Sequence, residues 1–189
     1  MAVVLTSDIQ RWAGLSTDTK PTAAPAGSLF YETDSGMYYV WNGTAWSPMA
    51  KTGPNVCRKL ITFTGAANLG AVGAAPLFTV TGTVLIRHLV ARGAVTLTEA
   101  APTATIALGV TGSTSLFIAA TTATSITNLT SWISTTPNAT GLALPAAMKD
   151  IVIVTDLIAT IAAQAVNGGA LRVTAFWEPM EAGSTLVAA

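Results

Sequence analysis

Proton transfer, nucleophilic attack and metal binding all need reactive side chains that converge in space. Those side chains are scarce in this chain. His88 is the one histidine and Cys57 the one cysteine among 189 residues. His88 lies inside a predicted strand, where a packed or hydrogen-bonded role is the expected one. A single imidazole and a single thiol do not complete a His/Cys zinc site, and a lone cysteine has no intrachain disulfide partner. Carboxylate pairs are the other route to chemistry: glycoside hydrolysis needs two acids roughly 5 to 9.5 Å apart. Glu32 with Asp34, predicted on one side of a strand, and Glu178 with Glu181 are the available pairs. Both sit at predicted turns or strand ends, where solvated acids are ordinary. The glycine-rich stretch 65–73 lacks the Gly-Lys-Ser/Thr ending of a phosphate loop. Asn128 and Asn138 each begin an Asn-X-Thr pattern, which has no consequence without secretion. The expectation is a chain with no catalytic residues, no cofactor and no metal.

Aromatic residues are the more concentrated resource. Trp12, Phe30, Tyr31, Tyr38, Tyr39, Trp41 and Trp46 all fall within the first fifty positions. Large aromatics anchor protein interfaces, so these seven are the candidate partner-binding residues. The competing reading is that a small β unit has no other material for a core and packs them internally. A platform for sugar rings ranks third.

The elements that would hold these residues follow from turn signals. Residues 3–5 suit a short strand, and Ser7 or Asp8 suits the cap of a helical turn containing Trp12. Residues 19–27, with Pro21 and Pro25, read as an extended linker. Residues 29–33, 37–41 and 44–46 then form a three-stranded meander joined at Asp34-Ser35-Gly36 and at Asn42-Gly43, the latter a type I′ turn signal. On its middle strand Met37, Tyr39 and Trp41 share one face while Tyr38 and Val40 share the other.

Lys51-Thr52-Gly53-Pro54-Asn55 breaks the pattern, and the chain beyond is aliphatic and threonine-rich. β-prone runs lie at 59–64, 77–80, 83–92, 94–98, 103–110, 115–119, 150–157 and 171–177. Strands of this number and spacing predict a β-sandwich, in its commonest eight-stranded form a jelly roll. In the third run Val84, Ile86, His88 and Val90 would face one way and Leu85, Arg87, Leu89 and Ala91 the other. Residues 121–133 read as a short helix or a loop. The organisation is therefore an all-β chain: an N-terminal arm with the aromatic meander (1–50), a linker (51–58), a jelly-roll-like sandwich (59–180) and a C-terminal tail (181–189).

Composition narrows the partners. Nine basic and nine acidic residues give zero formal net charge, so no overall basic excess exists to hold a phosphate backbone, and nucleic acid is not an expected partner. Half of the residues (51%) are hydrophobic and only 10% charged, against about 25% charged in ordinary domains. No run of roughly 20 apolar residues exists to span a membrane as a helix: the best stretch, 151–166, is interrupted by Thr155, Asp156, Thr160 and Gln164. Asp8, Gln10 and Arg11 interrupt any signal-peptide core after Met1, so synthesis and assembly in the cytoplasm are expected. No Asp, Glu, Lys or Arg occurs from Ala100 to Met148. A surface without charge suits burial against neighbouring subunits, so a homotrimer, or at least an oligomer, is expected. The alternative is a monomer surface coated with Thr and Ser hydroxyls, which also solvate a β face.

Gly27-Ser28-Leu29-Phe30-Tyr31-Glu32-Thr33-Asp34-Ser35-Gly36, continuing through Tyr39-Val40-Trp41-Asn42-Gly43-Thr44-Ala45-Trp46, resembles a short β module of tailed-bacteriophage virion proteins. Residues 77–87 (Leu-Phe-Thr-Val-Thr-Gly-Thr-Val-Leu-Ile-Arg), 151–154 (Ile-Val-Ile-Val) and 171–180 (Leu-Arg-Val-Thr-Ala-Phe-Trp-Glu-Pro-Met) resemble small head decoration or cement proteins of such phages. The resemblance implies a non-enzymatic virion structural protein with a trimeric jelly-roll body. Its implied partner is the major capsid protein or another virion protein. Tail-fibre, adaptor or receptor-binding proteins are the alternative, since the N-terminal module recurs among them.

Overall fold

The computed structural model describes residues 9–49, 54–141, 143–181 and 183–189. The strand expected at 3–5, the cap at Ser7 or Asp8 and residues 51–53 of the expected 51–58 linker lie outside them. Residues 55–58 are not linker but the start of a strand, Asn55–Thr62, held by pairing along its length. By internal contacts the chain divides into two compact units, Met1–Gly53 and Pro54–Ala189.

The first unit is one four-stranded sheet, ordered β1 (Arg11–Gly14), β2 (Leu29–Glu32), β3 (Tyr38–Trp41) and β4 (Trp46–Pro48). The meander is present, but Trp12 belongs to a strand and not to a helical turn. It pairs in parallel with β2, opposite Phe30. The indole packs edge-to-face on Trp46, ring centroids 5.8 Å apart, and its partial burial there outweighs the local capping preference, which is worth only about 1 kcal/mol. Residues 19–27 are not a free linker either: the Pro21 carbonyl accepts a bond from Trp46 Nε1 at 2.7 Å, and Lys20 reaches Glu32. At the β3–β4 turn only Gly43 takes a positive φ, +98°. Asn42 stays out of that region because its Oδ1 accepts bonds from the amides of Thr44 and Ala45, giving an Asx-type loop where a type I′ turn was expected.

The second unit contains β5 (Asn55–Thr62), β6 (Gly73–Thr81), β7 (Val84–Glu99), β8 (Thr105–Val110), β9 (Ser113–Thr122), β10 (Ser131–Trp132), β11 (Lys149–Ile153), β12 (Leu157–Ala162), β13 (Val166–Pro179) and β14 (Thr185–Ala188). β5 pairs with β13, β6 with β12, β7 with β11 and β8 with β9, every pair antiparallel. These pairs are nested in the sequence and alternate between two sheets, ordered β10-β7-β13-β5, with β11 also on β7, and β14-β6-β12-β8-β9. A long hairpin rolled over on itself in this way is the jelly roll. Ile61, Leu89, Leu171 and Val173 of one sheet and Leu77, Phe78, Ile106, Leu108 and Ile161 of the other share one buried cluster.

Several sequence expectations are corrected here. The run 150–157 is two strands in different sheets, separated where Asp156 Oδ1 accepts the Val80 amide at 2.8 Å and Thr155 Oγ1 donates to the Thr111 carbonyl. The runs 83–92 and 94–98 are one long strand, β7. Its expected alternation holds for Val84 and Ile86, then reverses: Leu89 and Ala91 are buried while His88 is exposed. The register slips there, Phe176 opposing His88 and Trp177 opposing Ile86, so a bulge at Arg87 changes which side chains point inward. The 121–133 region holds one turn of 3-10 helix, Ala123–Ser125, followed by loop and β10. The C-terminal tail contains β14, which pairs with β6 and buries Leu186.

Candidate functional site

The N-terminal sheet divides the seven candidate aromatics between its two faces. Trp12, Phe30, Tyr39, Trp41 and Trp46 occupy aligned positions on one face, since Trp12 opposes Phe30, Phe30 opposes Tyr39 and Trp41 opposes Trp46. Trp46 is their hub, with ring centroids 5.4 Å from Trp41, 5.8 Å from Trp12 and 6.0 Å from Phe30, all tilted or edge-to-face. Phe30 and Trp41 are buried, and Trp12, Tyr39 and Trp46 partly so. These five rings are the unit's own interior. Gly14 lies on the same face by alternation with Trp12, and space is short there: a Cβ at this position would stand 2.7 Å from Asp18 Oδ2 and 3.0 Å from Phe30 Cζ.

One polar cluster is built into this interior. Glu32 is buried and accepts Lys20 Nζ at 2.7 Å and the Ser35 hydroxyl. Lys20 Nζ also stands 4.4 Å from the centre of the Tyr39 ring and 5.1 Å from that of Phe30, a cation–π arrangement. Burial pushes the Glu32 carboxyl up, but the bonds from Lys20 and Ser35 and the Lys20 charge outweigh it and hold the group below its ordinary value. Burial, with the Glu32 charge behind it, pushes the Tyr39 hydroxyl up. Asp34 faces elsewhere: it is exposed, accepts the Ser16 amide and hydroxyl at 2.8 and 2.6 Å, and is held low chiefly by the hydroxyl. Glu32 and Asp34 thus do not share a cleft, contrary to their expected placement on one side of a strand.

The opposite face carries Arg11, Ala13, Leu29, Tyr31, Tyr38 and Val40. Tyr31 and Tyr38 oppose each other with ring centroids 4.7 Å apart and planes at 31°. Tyr38 is 50% exposed, and Leu29, Tyr31 and Val40 are partly exposed. Alternation had already put Tyr38 and Val40 together; Leu29, Tyr31 and the β1 residues join them only through cross-strand register. This paired-tyrosine face is the candidate site, and an apolar, aromatic, partly open sheet face is suited to docking.

The other residues considered for chemistry are engaged in structure. His88 lies beside Phe176, ring centroids 5.4 Å apart and planes tilted by 55°. Glu178 faces Arg87 at 3.5 Å, and Glu181 accepts the Thr83 amide at 3.0 Å. Cys57 is half-buried, and burial pushes its thiol up. Among the described residues no three His, Cys, Asp or Glu side chains converge as metal ligands would, and no helix is long and apolar enough to cross a membrane. Comparison of the chain with protein-family models, with curated proteins and with solved structures found no match.

Proposed function

We propose that this chain is a non-enzymatic structural protein of a tailed-bacteriophage particle, decorating or cementing the outside of the head. In this reading the paired-tyrosine face of the N-terminal sheet docks on the major capsid protein or another virion protein. The observation that carries it is the division of the aromatics: five rings suffice for the interior, yet Tyr31 and Tyr38 are held side by side on the other face. The resemblance of residues 27–46 to virion modules agrees with it. The jelly-roll body self-associates as a trimer, supported by Val152 and Val154, which stand 53% and 63% exposed at and just beyond the end of β11.

Co-sedimentation of the full chain with undecorated heads tests the attachment. The double variant Tyr31→Ala/Tyr38→Ala should lose binding by an amount typical of interface hot spots, about 2 kcal/mol or more. Undiminished decoration by that variant would sink the reading. The same tyrosine pair also favours a second one, in which rings at this spacing lie against a sugar and the protein belongs to the tail. Binding of the full chain to host cells and not to heads would establish that alternative.

A further inference from the structure

The jelly-roll body carries a cationic feature that the reading above does not use. On the outward face of the sheet β5-β13-β7, Arg172 stands directly opposite Arg92, and Leu60 opposes Arg172 on the other side. Arg58, opposite Thr174, lies diagonally across from Arg172 on the same face. All three arginines are exposed, and none forms a salt bridge among the described residues. Like charges directly opposed across strands destabilise a sheet, so the arrangement lacks a counter-charge.

Arg92 and Arg172, with Gly93, Ala94 and Leu129, line a concavity of about 130 Å³. Water occupies roughly 30 Å³ in the liquid, so a carboxylate fits with solvent to spare. The wall is held in place from below. Gly93 exchanges backbone bonds with its neighbouring turn, donating to Thr130 and accepting from Leu129, each at 2.9 Å. A Cβ on Gly93 would lie 2.1 Å from the Thr127 carbonyl oxygen, so that turn rests directly on the strand. Leu129 holds a left-handed backbone, φ +66°, and turns its carbonyl to Arg92 Nε at 3.2 Å. That bond fixes the guanidinium plane and leaves its terminal nitrogens available. A strained leucine whose side chain is 57% exposed at the rim marks a position held against local preference.

We propose that this concavity is a carboxylate-binding site that takes an Asp or Glu side chain of a partner protein. Guanidinium groups match a carboxylate with two parallel hydrogen bonds, and two converging arginines neutralise it more completely than one. Another copy of this body is a poor source, because each of its described acids is already engaged: Glu99 by the Ala104 amide, Asp150 and Glu178 by Arg87, Asp156 by the Val80 amide and Glu181 by the Thr83 amide. A nucleic-acid backbone fits poorly too, since the arginines are flanked by Leu60, Val95 and Leu129, each more than half exposed. A protein surface covers such apolar flanks while its carboxylate meets the charge.

The test is an NMR titration of the isotope-labelled full chain with a terminally blocked hexa-aspartate peptide, compared with inorganic phosphate. The peptide should shift the Gly93 and Leu129 amides and the Arg92 and Arg172 Nε–H signals. R92Q/R172Q should weaken it by about tenfold or more, as expected when charge-assisted bonds are lost. R172Q alone should raise the melting temperature at low salt, and the gain should shrink as salt screens the repulsion. Unchanged binding by the double variant, unmoved Gly93 and Leu129 signals, or phosphate binding as tightly as the peptide would each overturn the proposal. The titration involves neither heads nor the tyrosine face, so its failure and that of the decoration reading are separable.

Discussion

The two units of this protein make β-structure cohere by different means. In the body, two sheets cover each other's inner faces, and the shared interior is aliphatic: Ile61, Leu77, Ile86, Leu108, Ile161 and Leu171 with Phe63, Phe78 and Trp132. The described residues of the N-terminal unit form one sheet of strands three or four residues long, and its interior is rings packed around Trp46 with a Lys20–Glu32 pair whose carboxylate is buried and whose ammonium is partly so. A short single sheet cannot supply a second apolar layer, so wide side chains and a folded-back loop must cover one face. Its stability then rests on a few large groups, whereas the body distributes it over many. The same economy leaves the other face of the small sheet, with Tyr31 and Tyr38, partly exposed.

This contrast breaks most sharply at tryptophan. Trp132 is wholly buried in the body, with its Nε1 bonded to Thr121 Oγ1 at 3.1 Å, so Trp132→Ala should cost about 3–5 kcal/mol. The body has a large reserve of other contacts and should remain folded at ambient temperature with a lowered transition. Trp46→Ala removes three ring contacts and the bond to Pro21, a loss of similar size from a far smaller interior. It should unfold the N-terminal unit outright while leaving the body's transition in place. Residue-resolved hydrogen exchange separates the outcomes; loss of protection in both units from Trp46→Ala would show that they do not cohere independently.

Acid should also distinguish the units. The Glu32 carboxyl titrates below its ordinary value near 4.5 when folded, so its pairing stabilises the native state fully above that value. The contribution is lost as pH falls through the lower folded value, where protonation releases Lys20. Lowering the pH through this window should loosen the N-terminal sheet, read as loss of its tryptophan near-ultraviolet dichroism. Glu32→Gln should reduce stability at neutral pH and flatten the acid response. An unchanged acid transition in that variant would remove Glu32 as its cause.

How much of this was legible in the sequence follows the range of the interactions. Turn residues and alternation located the β2–β3–β4 meander and the aliphatic sandwich, because these depend on neighbours a few positions away. Strand β1 was missed, since its parallel register with β2 sets Trp12 opposite Phe30 and against Trp46, residues a loop or more away in the sequence. The phase of β7 was misread because the bulge at Arg87 is set by β13, far along the chain. The charge-free stretch 100–148 has two origins that composition alone merges: Ile106, Leu108, Phe117, Ile126, Trp132 and Met148 are core, while Thr111, Ser113, Thr114, Thr135 and Thr140 form a hydroxyl-bearing surface. The opposition of Arg92 and Arg172 was invisible for the same reason as β1: 80 positions separate residues that register places side by side.

The smallest expected effect is the most informative about the docking face. Tyr38→Ala removes a half-exposed ring whose main described ring partner is Tyr31, and such a pair is worth about 0.5–1.5 kcal/mol. The five inward rings and the Lys20–Glu32 pair are untouched, so hydrogen exchange in β2 and β3 should change little. Gly43→Val provides the contrast, because forcing a β-branched residue to φ +98° strains the β3–β4 loop and should loosen the sheet from its edge. If Tyr38→Ala unfolds the N-terminal unit as Trp46→Ala does, the two faces are not distinct and Tyr38 belongs to the interior. If it leaves the fold intact while attachment to heads falls, the ring's contribution lies in the contact it makes with another surface, which is what separates a docking face from a core.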